Sequence, residues 1–279
     1  MQRNEPPRQA KAPTIYMSYG RPSFVMLFVL VILAPALHLR AQQPASSSPI
    51  IPSPLTAEQV VRGLLQMNLR RAEALHSYEG SRTYHVDYRG FPGSRTAAMD
   101  VRVKFISPNS KDFNVQSSSG SNLIIDKVLK KLLEAEKEAL TAENMRRSAL
   151  TEENYSFTLV GYQAGTIGAM YVLDVEPRTK DKFLYRGRIW VDAQDFAVVR
   201  MQVTPAKNPS FWTKSTQIEQ VYQKVGNFWL PSSNKSVTSI RLGGRAELTI
   251  LYTDYTITRA SKIHNLAAQS VEGQLGAGR

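Results

Sequence analysis

The chain has 279 residues and a formal net charge of +12, from 35 basic and 23 acidic residues. It contains no cysteine, which excludes structural disulfides, thiolate zinc sites and thiol nucleophiles. Hydrophobic residues make up 42% of the chain, enough to supply a sizeable core. The basic residues are scattered and form no long block, so the charge favours a solubilising surface over a nucleic-acid or lipid-headgroup site.

An apolar run at residues 23–39 follows Arg21 and is itself followed by Arg40 and Ala41. A basic residue, an apolar segment and a small residue at its exit are typical of a secretory signal peptide. We expect residues 1–41 to be this signal, cleaved after Ala41, with Met17 as an alternative start. The competing interpretation is an uncleaved membrane anchor, for which the run is slightly short of the ~20 residues that span a bilayer.

The segment after the signal, residues 42–54, is rich in Ser, Pro and Gln and is predicted to be a flexible linker. A helix is predicted next, because Thr56 and Gln59 stand at capping-box spacing. Apolar residues then recur at helical intervals as far as Leu75. This helix therefore has one apolar face to bury.

Alternating apolar and polar residues then predict about ten strands. Residues 183–203 form a clear hairpin pattern, and 226–227 and 243–244 are two-residue hairpin turns. Short turns between successive strands indicate an antiparallel sheet. Apolar positions change face within the last strand, which predicts a bulge or burial on both faces. The polar, Gly-rich residues 261–279 are predicted to be a disordered tail.

A helical insertion interrupts the strands at about residues 123–150. Its apolar residues recur at helical spacing while Lys and Glu occupy the other face, and a break is expected near Thr141. The apolar stripe must be buried, and the open side of the sheet is the available partner. We expect this insertion to act as a lid, with Val128, Leu132 and Leu133 on its buried face.

Ten apolar residues in the strands are candidates to line a cavity, because they alternate along strands that can share one face. They are Val101, Val103, Phe105, Leu173, Val175, Ile189, Val191, Val199, Met201 and Val203. A surface of this kind suits acyl chains, since each buried methylene contributes about 0.8 kcal/mol. The alternative is that the same residues pack against the two helices as an ordinary core.

Nothing in the sequence indicates an enzyme. The four histidines lack metal-ligand spacing, so no metal site is expected, and there is no G-x-S-x-G element. Asp192 and Asp195 flank a tight turn, where Asx-turn hydrogen bonds explain them better than paired-carboxylate catalysis. The aromatic residues suit sheet faces, so nucleic-acid binding is not expected.

One part of the chain has a familiar pattern: a strand ending in Pro at 171–177, then Tyr-Arg-Gly-Arg-Ile-Trp-Val-Asp at 185–192 and Phe-Ala-Val-Val-Arg at 196–200. This pattern resembles the central hairpin of the LolA superfamily of lipoprotein-sorting proteins, which includes LolB and RseB/MucB. The N-terminal helix and the interposed helix agree in order. The resemblance covers roughly Leu55 to Ile257, and we set the domain at residues 55–260.

The resemblance implies a mainly β (α+β) fold, an open antiparallel half-barrel of about 10–11 strands wrapped around helices. It also implies a monomeric periplasmic carrier without a cofactor, which holds the acyl chains of lipoproteins or lipids in a hydrophobic cavity. Membrane lipoprotein-transfer machinery would be a further partner. Arg82, Arg102 and Arg188 are all candidates for the arginine that contacts the lid in this superfamily.

Two alternatives remain open for the function. One is an envelope-stress sensor module of the RseB/MucB type, although such relatives carry a second domain. The other is an exported hydrolase, which the missing catalytic residues disfavour. For the location, an inner-membrane anchor facing the periplasm remains the alternative to a soluble periplasmic protein.

Overall fold

A computed structural model describes residues 50–91, 93–165, 168–208, 213–241 and 243–260. The expected signal peptide at 1–41, most of the linker and the expected tail at 261–279 lie outside the described residues. The last part of the predicted linker is not irregular, because Ile50 and Ile51 form a short strand opposite Gln163 and Tyr162. Two consecutive β-branched residues favour this extended pairing.

The elements follow the order predicted from the sequence. The strands are β1 (Ile50–Ile51), β2 (Leu75–Arg89), β3 (Arg95–Ile106), β4 (Ser110–Gly120), β5 (Tyr155–Gly165), β6 (Gly168–Pro177), β7 (Tyr185–Asp192), β8 (Val198–Pro205), β9 (Thr213–Val225), β10 (Phe228–Ile240) and β11 (Arg245–Arg259). The helices are α1 (Ala57–Ala74), α2 (Asn122–Ile124), a π-helical turn (Ile125–Leu129), α3 (Lys130–Ala139) and α4 (Ala142–Ser148).

All eleven strands form one antiparallel sheet in the order β1-β5-β6-β7-β8-β9-β10-β11-β2-β3-β4. Within the described residues the sheet does not close, because β1 and β4 lie at opposite edges and do not pair with each other. The order follows the chain over most of the sheet. Each strand from β5 to β10 pairs with the next strand in sequence, and β11 then pairs with β2. The predicted mainly β, open antiparallel architecture is confirmed.

Helix α1 begins as the sequence predicts. The Thr56 hydroxyl accepts a hydrogen bond from the Gln59 amide at 3.3 Å, and the Gln59 side chain accepts one from the Thr56 amide at 2.8 Å. These bonds satisfy two backbone donors that a helix N-terminus leaves free. At its other end α1 passes into β2 without a loop, so the direction of this helix is fixed by the sheet.

The predicted change of face in β11 is confirmed as a bulge. The pairing with β2 shifts register between Thr253 and Thr256, and Asp254 there has a φ of 55°. Before the bulge, Tyr252 packs with residues under the inserted helix; after it, Ile257 packs in a different cluster. The extra residue of a bulge accounts for this switch, since alternation otherwise continues unbroken.

The helices contact one face of the sheet, which we call the helix side, and each of its two largest apolar clusters lies beneath a helix. The α3 cluster joins the inserted helix to β2, β3 and β11, and includes Ile125, Val128, Leu129, Leu132, Leu133, Val86, Met99, Val101, Val103, Ala246, Leu248 and Ile250. The α1 cluster joins helix α1 to β5, β6 and β7, and includes Val60, Val61, Leu64, Tyr155, Leu173, Val175, Ile189 and Val191.

Candidate functional site

The inserted helix, which we call the cover segment (Asn122–Ala139), lies on the helix side over β3. Its buried residues come in adjacent pairs four residues apart, a spacing that keeps one stripe toward the sheet. These pairs are Ile124 and Ile125, Val128 and Leu129, and Leu132 and Leu133, all at most 8% exposed. The predicted lid residues Val128, Leu132 and Leu133 therefore lie in one cluster with Val101 and Val103.

Other cavity candidates lie elsewhere on the helix side. Four of them, Leu173, Val175, Ile189 and Val191, lie in the α1 cluster, and Met201 packs against it half-buried. Val203 is buried opposite Ile218 of β9. Phe105 belongs to a third cluster, where its ring stacks on Tyr78 with the centroids 5.2 Å apart.

Val199 does not share this face. The pairing of β7 with β8 shifts register there, so that Trp190 faces Arg200 while Val191 faces Val198. Val199 therefore packs with Val172 and Trp190 on the opposite side of the sheet. The expected alternation fails at this position because the bulge adds one residue to β8.

A buried ion cluster connects the cover segment to the sheet. Arg82 of β2 donates to both carboxylate oxygens of Glu136, with N–O distances of 2.7 and 3.1 Å. Lys111 of β4 donates to the same carboxylate at 2.6 Å. The exposed fraction of the side chain is 6% for Arg82, 9% for Glu136 and 1% for Lys111. One carboxylate on α3 thus holds two cations from separate strands.

Aromatic rings surround the two cations. The Arg82 guanidinium lies 5.0 Å from the Tyr252 ring centroid and also donates to the Tyr84 hydroxyl at 3.1 Å. The Lys111 ammonium lies 5.7 Å from the centroid of Tyr78. Ring faces attract cations, and the attraction strengthens where water is excluded. The rings therefore favour the charged forms at a site that burial would otherwise disfavour.

The titration of Glu136 reflects the balance between burial and its partners. Burial by itself raises the pKa of this carboxyl, but the charges of Arg82 and Lys111 outweigh burial and lower the pKa to about 2. Burial lowers the pKa of Lys111, yet the Glu136 charge outweighs it and raises that pKa overall. All three groups are consequently charged at neutral pH.

Of the three candidate arginines, Arg82 is the one that contacts the cover segment. Arg188 lies on the opposite face and pairs with Asp174 at 2.7 Å, and Arg102 of β3 is exposed. The signal for Glu136 was present in the sequence, because it lies four residues after Leu132 and three after Leu133. That position is on the buried stripe, where a carboxylate requires a partner.

An open groove of about 820 Å³ crosses the opposite face of the sheet. Directly paired residues form its floor, namely Asp174, Arg188, Gln202, Glu219 and Lys235. Four of these residues form ion pairs with N–O distances at or below 2.7 Å: Asp174 with Arg188, Glu219 with Arg200, and Lys235 with Glu247. These half-exposed pairs suit a hydrated surface and contribute little to stability.

The remaining polar candidates have structural roles. The Asp192 carboxylate accepts hydrogen bonds from the amides of Gln194 and Asp195 at 3.0 and 2.6 Å, the Asx-turn predicted from the sequence. Among the described residues no group of three or more His, Asp or Glu could hold a metal ion. No helix in this described part has the length and apolar character needed to cross a membrane.

No family model matches the chain, and no curated protein matches it. A domain from Vibrio parahaemolyticus, named for outer membrane lipoprotein sorting, is 11% identical with a TM-score of 0.40, covering 78% of this chain and 100% of that one. A DUF1329 family protein from Desulfovibrio piger is 9% identical with a TM-score of 0.38, covering 72% and 92%.

A LolA superfamily protein from Nitrosomonas europaea is 9% identical with a TM-score of 0.33, covering 74% of this chain and 96% of that one. The name of this structure is that of the superfamily that the sequence resembles. At these identities and TM-scores the matches assign no function to the chain.

Proposed function

We propose that the protein is a periplasmic carrier that binds acyl chains of lipoproteins or lipids reversibly beneath the cover segment. The observation that carries the proposal is the construction of this cover: one apolar stripe on the sheet, held by one buried ion cluster. Both ends of the insertion are tied to strands, β4 before it and β5 after α4. Displacement of the cover would expose Val101 and Val103 without unpairing the sheet.

The energies are compatible with exchange between a closed and a loaded form. Opening the cover loses the burial of the six apolar residues of its stripe, each worth about 1.5–3 kcal/mol. An entering acyl chain regains about 0.8 kcal/mol for each buried methylene, so one or two chains of ordinary length regain a comparable free energy. Binding of this kind is releasable, as a carrier that delivers its client requires.

The buried ion cluster gives the cover one closed position. A bidentate Arg–carboxylate pair fixes distance and orientation, whereas apolar contacts tolerate sliding. Glu136 can therefore return to Arg82 and Lys111 each time the cover closes. We propose a monomer that transfers its client to membrane lipoprotein-transfer machinery; a sensor module that keeps its ligand instead is the alternative.

The test is direct binding by the full chain. Native mass spectrometry of protein purified from the cell envelope should show bound lipid or acylated peptide, and a fluorescent fatty acid should bind saturably. Hydrogen exchange should change in the cover segment and β3 on binding. Arg188→Gln, in the groove on the opposite face, is the control and should bind normally. Absence of saturable binding and of any recovered acyl compound would refute the carrier.

A further inference from the structure

The centre of the helix side is polar. Five uncharged residues of β9 and β10, which we call the polar stripe, are each at most 2% exposed: Thr216, Gln220, Asn234, Ser236 and Thr238. Their sheet partners fix the face: Gln220 is opposite Met201 on one side, and Asn234 and Ser236 are opposite Ile250 and Leu248 on the other. The polar stripe therefore lies between the α1 cluster and the α3 cluster.

The side chains of the polar stripe bond to one another. Ser236 donates to Asn234 at 3.0 Å, Asn234 donates to Gln220 at 3.1 Å, and Gln220 donates to the carbonyl of Val221 at 3.0 Å. The hydroxyls of Thr216 and Thr238 lie 3.1 Å apart. Strands that need only a core would carry apolar residues here, since buried polar groups cost free energy unless every one is paired.

The hydrogen bonds do not use every donor. Each carboxamide has two N–H groups, and the bonds above use one from Gln220 and one from Asn234. The second N–H of each has no partner among the described residues, although both side chains are buried. A buried donor without an acceptor costs about 1–3 kcal/mol. Gln220 and Asn234 are directly paired between β9 and β10, so the two donors together offer a place for an acceptor that the described part of the chain does not supply.

We propose that Gln220 and Asn234 bind the ester carbonyl oxygens of a diacylglyceryl group, whose two chains enter the α1 and α3 clusters. This inference rests on the proposed function and specifies its ligand. Carbonyl oxygens fit because they accept hydrogen bonds and carry no charge, and the polar stripe contains no ionisable side chain to balance one. Two chains fit because an apolar cluster lies on each side of the polar stripe.

Two matched lipids separate this recognition from simple apolar binding. Dioctanoylglycerol has two ester carbonyls; dioctylglycerol diether has the same chains without them. The full-length protein should bind the ester about tenfold more tightly, which corresponds to about 1.4 kcal/mol, the size expected of one or two neutral hydrogen bonds. Replacing both carboxamides, Gln220→Leu with Asn234→Leu, should abolish the preference and leave diether binding unchanged. Gln202→Leu, an exposed glutamine on the opposite face, is the control.

Each outcome decides between the two proposals. Equal affinity of the wild type for ester and diether would overturn the polar recognition and leave the carrier standing. Binding of neither lipid would overturn the carrier and the inference with it. An ester preference that survives the double leucine variant would place the recognition elsewhere. If that variant fails to fold, the comparison of the two lipids on the wild type still decides the inference.

Discussion

Glu136 has the most consequential environment of any single side chain in the described part of the molecule. It is the one acidic residue of the buried ion cluster and it bonds to two cations. A buried ion pair is often no more stabilising than apolar residues of the same volume, but removing one partner leaves uncompensated charge. The effect of a substitution at Glu136 is therefore large, even though the net contribution of the cluster is small.

Glu136→Gln should lower the free energy of unfolding by about 3–5 kcal/mol, because Arg82 and Lys111 would remain buried without an anion. The wild type should lose stability as pH falls below 4.5, the ordinary value for Glu, toward about 2. The sign follows because a folded-state pKa below the ordinary value means that the unfolded chain takes up the proton first. The variant should show a shallower slope in this pH range. Chemical denaturation at several pH values measures both effects.

The control for this prediction is Glu134→Gln. Glu134 lies on the exposed face of the same helix, where its side chain is 63% exposed and pairs with Lys131. Exposed pairs of this type contribute up to about 1 kcal/mol, so this variant should keep both the stability and the pH slope. Equal effects of the two substitutions would show that the buried cluster does not secure the cover.

At the scale of elements, detaching the cover segment should loosen the part of the sheet beneath it and leave the part beneath α1 unchanged. Leu132→Asp with Leu133→Asp places two carboxylates at positions 6% and 8% exposed, so the cover should detach from β3. Hydrogen exchange should accelerate in the cover and β3, while β6 and β7 under α1 stay protected. Binding of a hydrophobic dye should rise. The double change is read against Lys130→Asp with Lys131→Asp, which alters the exposed face of the same helix.

A uniform loss of protection throughout the sheet would contradict this prediction, because it would mean that the cover is an integral part of the core. Unchanged dye binding and exchange would contradict it as well. Either result would remove the physical basis for reversible opening.

Element types were predictable from the sequence because their signals are local. The capping box at Thr56 and Gln59 and the alternation in β7 and β8 each lie within a few residues. The face of Val199 was not predictable, since the bulge depends on how β8 pairs with β7. The ion cluster was not predictable either: Lys111 and Arg82 are 25 and 54 residues from Glu136, and only the fold brings them together.

The polar stripe shows a different limit of sequence interpretation. Strands β9 and β10 were predicted from their length and turn, but Thr216, Gln220 and Asn234 look like solvent-facing residues in a sequence. Their burial follows from their partners in β8 and β11, whose apolar residues fix the face. A polar residue in a strand indicates the solvent-facing side only when the buried side is uniformly apolar. The buried side of β9 and β10 contains polar residues, so this inference fails there.

At the scale of the whole molecule, the question is whether the two clusters of the helix side are compartments for chains or only a core. Val101 in the α3 cluster and Val175 in the α1 cluster are 1% and 3% exposed. In a rigid core, a tryptophan at either position would cost about 1–3 kcal/mol of stability. In a compartment that opens, the larger side chain would occupy the space of an acyl chain instead.

Val101→Trp and Val175→Trp should each weaken diacylglycerol binding at least about tenfold while the melting temperature stays close to that of the wild type, because each ring fills one compartment of an interior that opens. The exposed Val160→Trp on β5 is the matched control and should bind normally. Calorimetry and lipid titration on the same samples make the measurement. The contrary result is a fall of several degrees in melting temperature for both variants, while the protein that remains folded binds lipid as before. That result would identify the clusters as a permanent core and exclude them as the chain-binding compartments.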